Sequence, residues 1–168
     1  AREVVAVDQN VVSLTFTAPD GGELPAWRPG AHLDLELPSG IVRQYSLCGD
    51  HDDRTRYRIA VRRIPDGSGS VEAHESVRAG ATLHVRGPRK AFRLLTAPAY
   101  LFVAGGIGIT PILPMMIAAE RLGLSWSMLY SGRSTDTIPF IAEVARFAQV
   151  SLRIRHGRTT VRLPVALY

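Results

Sequence analysis

The chain has 168 residues, 46% hydrophobic and 21% charged, which suits a soluble globular protein with a sizeable core in one or two domains. Net charge is +5 and pI about 10.0, yet the basic residues, all arginine except Lys90, are scattered and not interleaved with aromatics, which argues against nucleic-acid binding. A single cysteine, Cys48, excludes a disulfide framework and a thiolate metal site, and with a start (AREVVAV) unlike a signal peptide the expectation is a cytoplasmic protein.

The first half alternates like an antiparallel β domain. Val4 to Val7 and Val11 to Thr17 are short β-branched runs separated by Asp8-Gln9-Asn10, followed by turn chemistry at Pro19 to Gly22. Trp27-Arg-Pro-Gly30 predicts a second turn. His32 to Leu37 alternates strictly, so Leu33, Leu35 and Leu37 face a core. After Pro38-Ser-Gly40 come strands at Ile41 to Leu47 and Tyr57 to Arg62, a Gly/Ser/Pro-rich loop from Ile64 to Ser70, one or two helical turns at Val71 to Val77, and a last strand at Thr82 to Arg86 ended by Gly87-Pro88. Strands at this spacing predict a six-stranded antiparallel Greek-key barrel, since closure removes exposed edges.

Beyond about Pro98 the texture becomes strand (100–104), helix (111–122), strand (125–130), helix (138–148) and strand (150–155), with Pro139 in the first turn of the second helix. Such alternation predicts βαβ units and a parallel sheet. The domains expected are 1–97, a β-barrel, and 98–168, an α/β nucleotide-binding unit. The second reads as half of a doubly wound fold, so the chain is expected to be cut short, or to lack residues near Arg155 to Thr160. Ala99 to Ala119 is apolar enough for a membrane helix, but Gly105, Gly106, Gly108 and Pro111 interrupt it, so no membrane span is expected.

The stretch Leu101 to Pro114, LFVAGGIGITPILP, is the most specific feature. A strand running through glycines into a helix whose first turn holds Pro111 offers free N–H groups and a positive dipole end to an anion. Its spacing is tighter than the dinucleotide GxGxxG fingerprint, and phosphate or nucleotide binding is the expectation. Arg133 and Ser134 follow the next strand, where ligands of parallel sheets sit. On the strand Arg43-Gln-Tyr-Ser46, period two puts Arg43 and Tyr45 on one face and Gln44 and Ser46 on the other. These offer a fork for phosphate, a flat ring and a small hydroxyl donor, although an ordinary surface strand reads the same way. Gly67-Ser-Gly69-Ser70 fits a phosphate loop or a plain hairpin loop. The histidines show no metal spacing, so no metal site is expected, and Cys48 reads as a packed thiol.

In this order, RQYSLCGD, AVRR, GSGS, GPRKAF and VAGGIGITPILPM resemble the ferredoxin–NADP reductase superfamily, and within it the phthalate dioxygenase reductase and vanillate demethylase reductase group, over roughly residues 4 to 150. The resemblance implies a flavin between the domains, contacted by Arg43, Gln44, Tyr45, Ser46, Leu47, Ala60, Val61, Arg62, Gly67, Gly69 and Ser70. It implies Ser46 near flavin N5 and Thr110 against the flavin. It implies a nicotinamide dinucleotide facing Gly106, Ile107, Gly108, Thr110 and Pro111, with Arg133 and Ser134 near the adenosine ribose. The implied activity is that of an NAD(P)H-dependent flavoprotein reductase, electrons passing from NADH (alternatively NADPH) through FMN (alternatively FAD) to a [2Fe-2S] centre. That centre would belong to a plant-type ferredoxin domain or protein outside this chain, serving a terminal Rieske-type oxygenase or demethylase. The alternative is a flavin-binding electron-transfer module that does not turn over NAD(P)H by itself. GSGS departs from the GRGGS usual in FMN-type members, and a Cys-Gly-Pro segment of the family's nucleotide domain is absent.

Overall fold

Ten strands, three α-helices and two 3-10 turns follow one another in a computed structural model that describes residues 1–6, 10–90, 92–156 and 159–164. Val7, Asp8 and Gln9 of the first expected run and turn lie outside the described residues, as do Ala91, Gly157, Arg158 and residues 165–168 of the tail.

The first six strands are β1 (Arg2–Ala6), β2 (Val11–Phe16), β3 (Ala31–Glu36), β4 (Val42–Ser46), β5 (Tyr57–Arg62) and β6 (His84–Lys90), with helix α1 (Ser68–Glu75) between β5 and β6. They form two three-stranded antiparallel sheets, in the orders β1-β2-β5 and β4-β3-β6. Leu33, Leu35 and Leu37 point inward as the alternation requires, and join Leu14, Leu47, Ile59 and Val61 in one core. The closed six-stranded barrel expected from the sequence is not what forms. Between β4 and β5 the ladder shrinks to an isolated bridge, Leu47 to Ile59, because the chain leaves β4 at Ser46. A second difference lies in β6. It runs through Gly87-Pro88 to Lys90, because two residues bulge opposite Leu33 and pairing resumes at Arg89 with His32.

The second half contains β7 (Ala99–Gly105), a 3-10 turn (Gly106–Ile109), α2 (Ile112–Arg121), β8 (Ser125–Gly132), a 3-10 turn (Thr135–Thr137), α3 (Ile141–Val144), β9 (Val150–His156) and β10 (Thr159–Pro164). β7, β8 and β9 are parallel neighbours, and β10 returns antiparallel to β9. The expected helix over 138–148 is a single turn. Phe140 takes a left-handed conformation, φ 58°, with its ring in the core and the Arg58 guanidinium 4.8 Å from its centroid. That bend starts α3 after Phe140, so Pro139 stands outside it. Leu101 and Val103 of β7 are exposed, and the outer edge of β7 pairs with no strand among the described residues. The apolar stretch from Ala99 to Ala119 divides into β7, a turn and α2, and no helix among the described residues is long and apolar enough to cross a membrane.

The two halves share packing and charge. Val11, Cys48 and Ala60 of the first half belong to the same core as Ile109, Met116 and Tyr130 of the second. Arg58 of β5 donates to both carboxylate oxygens of Glu143 in α3 at 2.8 Å, and to the Cys48 carbonyl at 2.9 Å. Arg121, at the end of α2, donates to Asp50 at 2.5 and 2.7 Å and to Asp52 at 2.8 Å. The guanidinium holds the Asp50 carboxyl at about 2, below its ordinary 3.8. A carboxyl with a depressed folded value stabilises the fold above its unfolded value and loses that contribution as pH falls through the folded one. Wild-type protein is therefore expected to melt above Arg121→Ala at pH 6, with the gap closing between pH 4 and 2. A gap unchanged across that range, followed by thermal melts, rejects the clamp as a source of stability.

Candidate functional site

β4 is the outer strand of its sheet, so one edge and much of its surface are open. Register sets what each side chain meets. Arg43 and Tyr45 stand opposite Leu35 and Leu33, hence on the inward face, whereas Gln44 and Ser46 stand opposite Asp34 and His32. Tyr45 is half-buried, packs against the core of the first half, and has its phenol raised by burial. The Ser46 hydroxyl is half-buried and makes no hydrogen bond among the described residues. Gln44 turns away: its amide donates to Asp34 at 3.0 Å, and Arg89 reaches the other oxygen of that buried carboxylate at 3.1 Å.

Helix α1 brings the Gly/Ser loop to Arg43. A Cβ built on Gly69 would lie 2.9 Å from both Cγ and Nε of Arg43, so only glycine lets the arginine stem cross there. The helix begins after Gly67 with no side-chain cap and no acidic residue in its first turn. Its free N–H groups and a guanidinium stem therefore lie together, which is a phosphate-type arrangement. Glu72 fastens the helix to the β3–β4 turn through the Ser39 N–H and hydroxyl, and His74 Nε2 lies 2.9 Å from the Val61 carbonyl. The Ser70 hydroxyl is committed to its own loop, donating to the Gly67 carbonyl and accepting from the Ile64 N–H.

The glycine turn sits at the carboxyl end of β7. Gly106 has φ +49° and open space around its Cβ position, as has Gly108. Thr110 is buried, with its hydroxyl bonded to the Ile107 carbonyl at 3.1 Å, and Pro111 precedes the first residue of α2. A residue that pattern reading did not assign a role supports this turn. Tyr130 is fully buried on β8, its phenol 2.9 Å from the carbonyls of both Gly106 and Pro139. Burial raises that phenol, so it stays a neutral donor. Its only sequence signal was an apolar-phase position at the end of a buried strand. Arg133 is exposed beyond the end of β8, and Ser134 opens the next 3-10 turn as one partner of a capping box with Thr137. Both share the sheet's carboxyl edge with the glycine turn, since Ser131 pairs with Gly105.

The sequence-predicted residues thus fall into two groups. Arg43, Tyr45 and Ser46 lie on β4 and Gly67 and Gly69 at the start of α1, while Gly106, Ile107, Gly108, Thr110, Pro111, Arg133 and Ser134 lie on the sheet edge. Strand β5 contacts the glycine turn, with Ala60 and Ile109 in one core, and so links the groups. The side chains of Leu47, Ala60 and Val61 are buried in the cores, which leaves only their backbone for a ligand; Arg62 is exposed. Cys48 is fully buried and its thiol is pushed up to about 12, so it is a packing residue. Asp50, His51 and Asp52 have ligand atoms within 4.8 Å of one another, but both carboxylates already hold Arg121.

Residues 2–94 match the family model for the oxidoreductase FAD-binding domain. The chain is 39% identical over 157 residues to the tert-butanol monooxygenase / tert-amyl alcohol desaturase reductase subunit of Aquincola tertiaricarbonis, covering 92% of this chain and 47% of that one. It is 43% identical over 137 residues to the vanillate O-demethylase oxidoreductase of Pseudomonas putida, covering 79% of this chain and 42% of that one. Among solved structures it resembles phthalate dioxygenase reductase, described as a modular structure for electron transfer from pyridine nucleotides to [2Fe-2S], with TM-score 0.89 and 35% identity over 94% of this chain and 50% of that one. The chain spans about half the length of the relatives it matches. With the family model covering more than half of its residues and the fold shared with phthalate dioxygenase reductase, the chain belongs to the oxidoreductase FAD-binding domain family, in the ferredoxin reductase-like group.

Proposed function

We propose that this chain is the flavin-binding and nucleotide-facing part of an NAD(P)H-dependent reductase that feeds electrons to a [2Fe-2S] acceptor serving a Rieske-type oxygenase or demethylase. The observation that carries the reading is the meeting of Arg43 with the uncapped start of α1 at Gly69, beside a half-buried Tyr45 and an unbonded Ser46 hydroxyl. A flavin phosphate fits the first pair, and a flavin ring fits the second. When bound, the flavin accepts a hydride equivalent from a nicotinamide and passes electrons on one at a time.

The protein's part is binding and alignment. Arg43 and the α1 N–H groups hold the phosphate; Tyr45 supplies a flat wall. Ser46 would donate a hydrogen bond to a bound flavin ring, and Thr110 would pack against it. The backbone at Ala60, Val61 and Arg62 would border the ring. The glycine turn, hung from Tyr130, lets a dinucleotide approach its backbone, and Arg133 and Ser134 meet the ribose end. The wording of the motifs favours FMN over FAD, and the resemblance alone favours NADH over NADPH. A division near Pro98 separates the flavin-binding half from the nucleotide-facing half, which agrees with β7 beginning at Ala99.

The second reading is a flavin-binding electron-transfer module that does not turn over NAD(P)H by itself. The outer edge of β7, which pairs with no strand among the described residues, favours it, since the described part of the sheet edge offers a dinucleotide two turns. Mixing the flavin-loaded protein with NADH under nitrogen is expected to bleach its visible absorbance within minutes. Persistent colour rejects turnover in favour of the module, and failure to retain any flavin rejects both. Mass measurement of the flavin released by heat is expected to give FMN.

A further inference from the structure

A cavity of about 560 Å³ lies away from the flavin-type residues, between the Trp27-to-Gly30 turn, the linker after β6, and the second half of α2. Its apolar lining is Trp27, Phe92, Leu94 and Leu122, with Phe92 and Leu122 exposed at 53% and 70%. Its volume is in the ordinary range for small-molecule sites. Basic groups surround this lining. Arg28, Lys90 and Arg93 all border the cavity, and none of their side chains has a carboxylate or other polar partner among the described residues. The other charged neighbours are already committed: Asp52 to Arg121, and Arg54 to Glu23. The wall also carries unused hydrogen-bonding atoms. Trp27 Nε1 and His51 Nδ1 are buried without a partner, in two rings that meet edge to face at 6.2 Å. Native folds seldom leave such atoms unsatisfied. At the end of α2 the carbonyls of Ala118, Ala119 and Glu120 are satisfied by the N–H groups of Leu122, Leu124 and Gly123, so the cations, not this helix end, would supply the attraction for a negative charge.

We infer that this cavity binds a small aromatic carboxylate, its ring against Trp27 and Phe92 and its carboxylate toward Lys90 and Arg93. Apolar walls alone would take any hydrophobe, and three unpaired cations alone would take any anion; the two together select a molecule with a flat apolar body and one negative end. Arg28 is the third cation at this rim. The site is separate from the flavin and nucleotide groups proposed above and needs neither of them.

Benzoate is the probe. Calorimetric titration of the purified chain is expected to give saturable binding with half-saturation on the order of 1 mM, as so small a ligand allows. Trp27 fluorescence, isolated in Trp126→Phe, should change along the same curve. Benzyl alcohol, the neutral counterpart, should bind about tenfold more weakly, and Lys90→Ala/Arg93→Ala should weaken benzoate about fivefold or more. Both substitutions are at surface side chains without partners, so the fold is retained. Equal binding of benzyl alcohol, undiminished binding by the double variant, or no saturation overturns the proposal. Inorganic phosphate binding as well as benzoate also overturns it, since the site would then read charge alone.

Discussion

Alanine at position 30 is expected to cost on the order of 3 kcal/mol or more of folding stability, a large fraction of what a domain of this size has. Gly30 sits at φ +89°, where a side chain is strained, and its Cβ would lie 1.5 Å from the Phe92 carbonyl oxygen and 2.7 Å from the Met115 terminal methyl. The two strands of chain are joined at that point, the Phe92 N–H donating to the Gly30 carbonyl at 3.2 Å. A side chain therefore has to push the linker off the first half. Gly40→Ala is the control: φ +85° is similar, but no atom lies within 4 Å of its Cβ position. It should cost only about 1 kcal/mol, the strain without the collision. Urea midpoints that move equally in the two variants sink the close-approach account.

Arg43→Ala is expected to weaken flavin binding about 100-fold, the loss of a charge-assisted contact to phosphate. Arg43→Lys should recover only part of it, because an ammonium lacks the planar fork. Gly69→Ala should act in the same direction by displacing the arginine stem, whereas Arg56→Ala, whose exposed guanidinium pairs with Asp53, should leave flavin affinity unchanged. Fluorescence titration of the flavin-free protein measures all four. Full retention of affinity in Arg43→Ala removes the phosphate assignment and with it the main support for the flavin reading.

Local pattern made much of this legible. The strict alternation of His32 to Leu37 predicted the inward leucines correctly, because period two leaves a half-buried strand no other choice. The glycine cluster before Pro111 gave strand, turn and helix in the right order. What escaped depends on contacts distant in sequence. Strand β6 passes Gly87-Pro88 because its pairing with β3 can absorb a bulge, which no reading of residues 82–90 alone could show. Helix α3 is cut short by a buried Phe140 under Arg58, a residue 82 positions earlier in the chain. At the site, period two separated Arg43 and Tyr45 from Gln44 and Ser46, but it could not tell that Gln44 would be claimed by Asp34. Nor could it find Tyr130, whose part is played by a hydroxyl reaching two carbonyls from distant loops.

Among the described residues the outer edge of β7 has no strand partner, which makes it the place where two copies of this chain would meet in concentrated solution. That edge, with no strand paired to it among the described residues, runs beside Leu101 and Val103, residues 70% and 60% exposed. An apolar strand with a free edge is a template for the next strand it meets, including the same strand of another copy. Colloidal stability then rests on the net charge of +5, which salt screens. Raising ionic strength, usually harmless to a folded domain, here removes the repulsion that keeps two such edges apart.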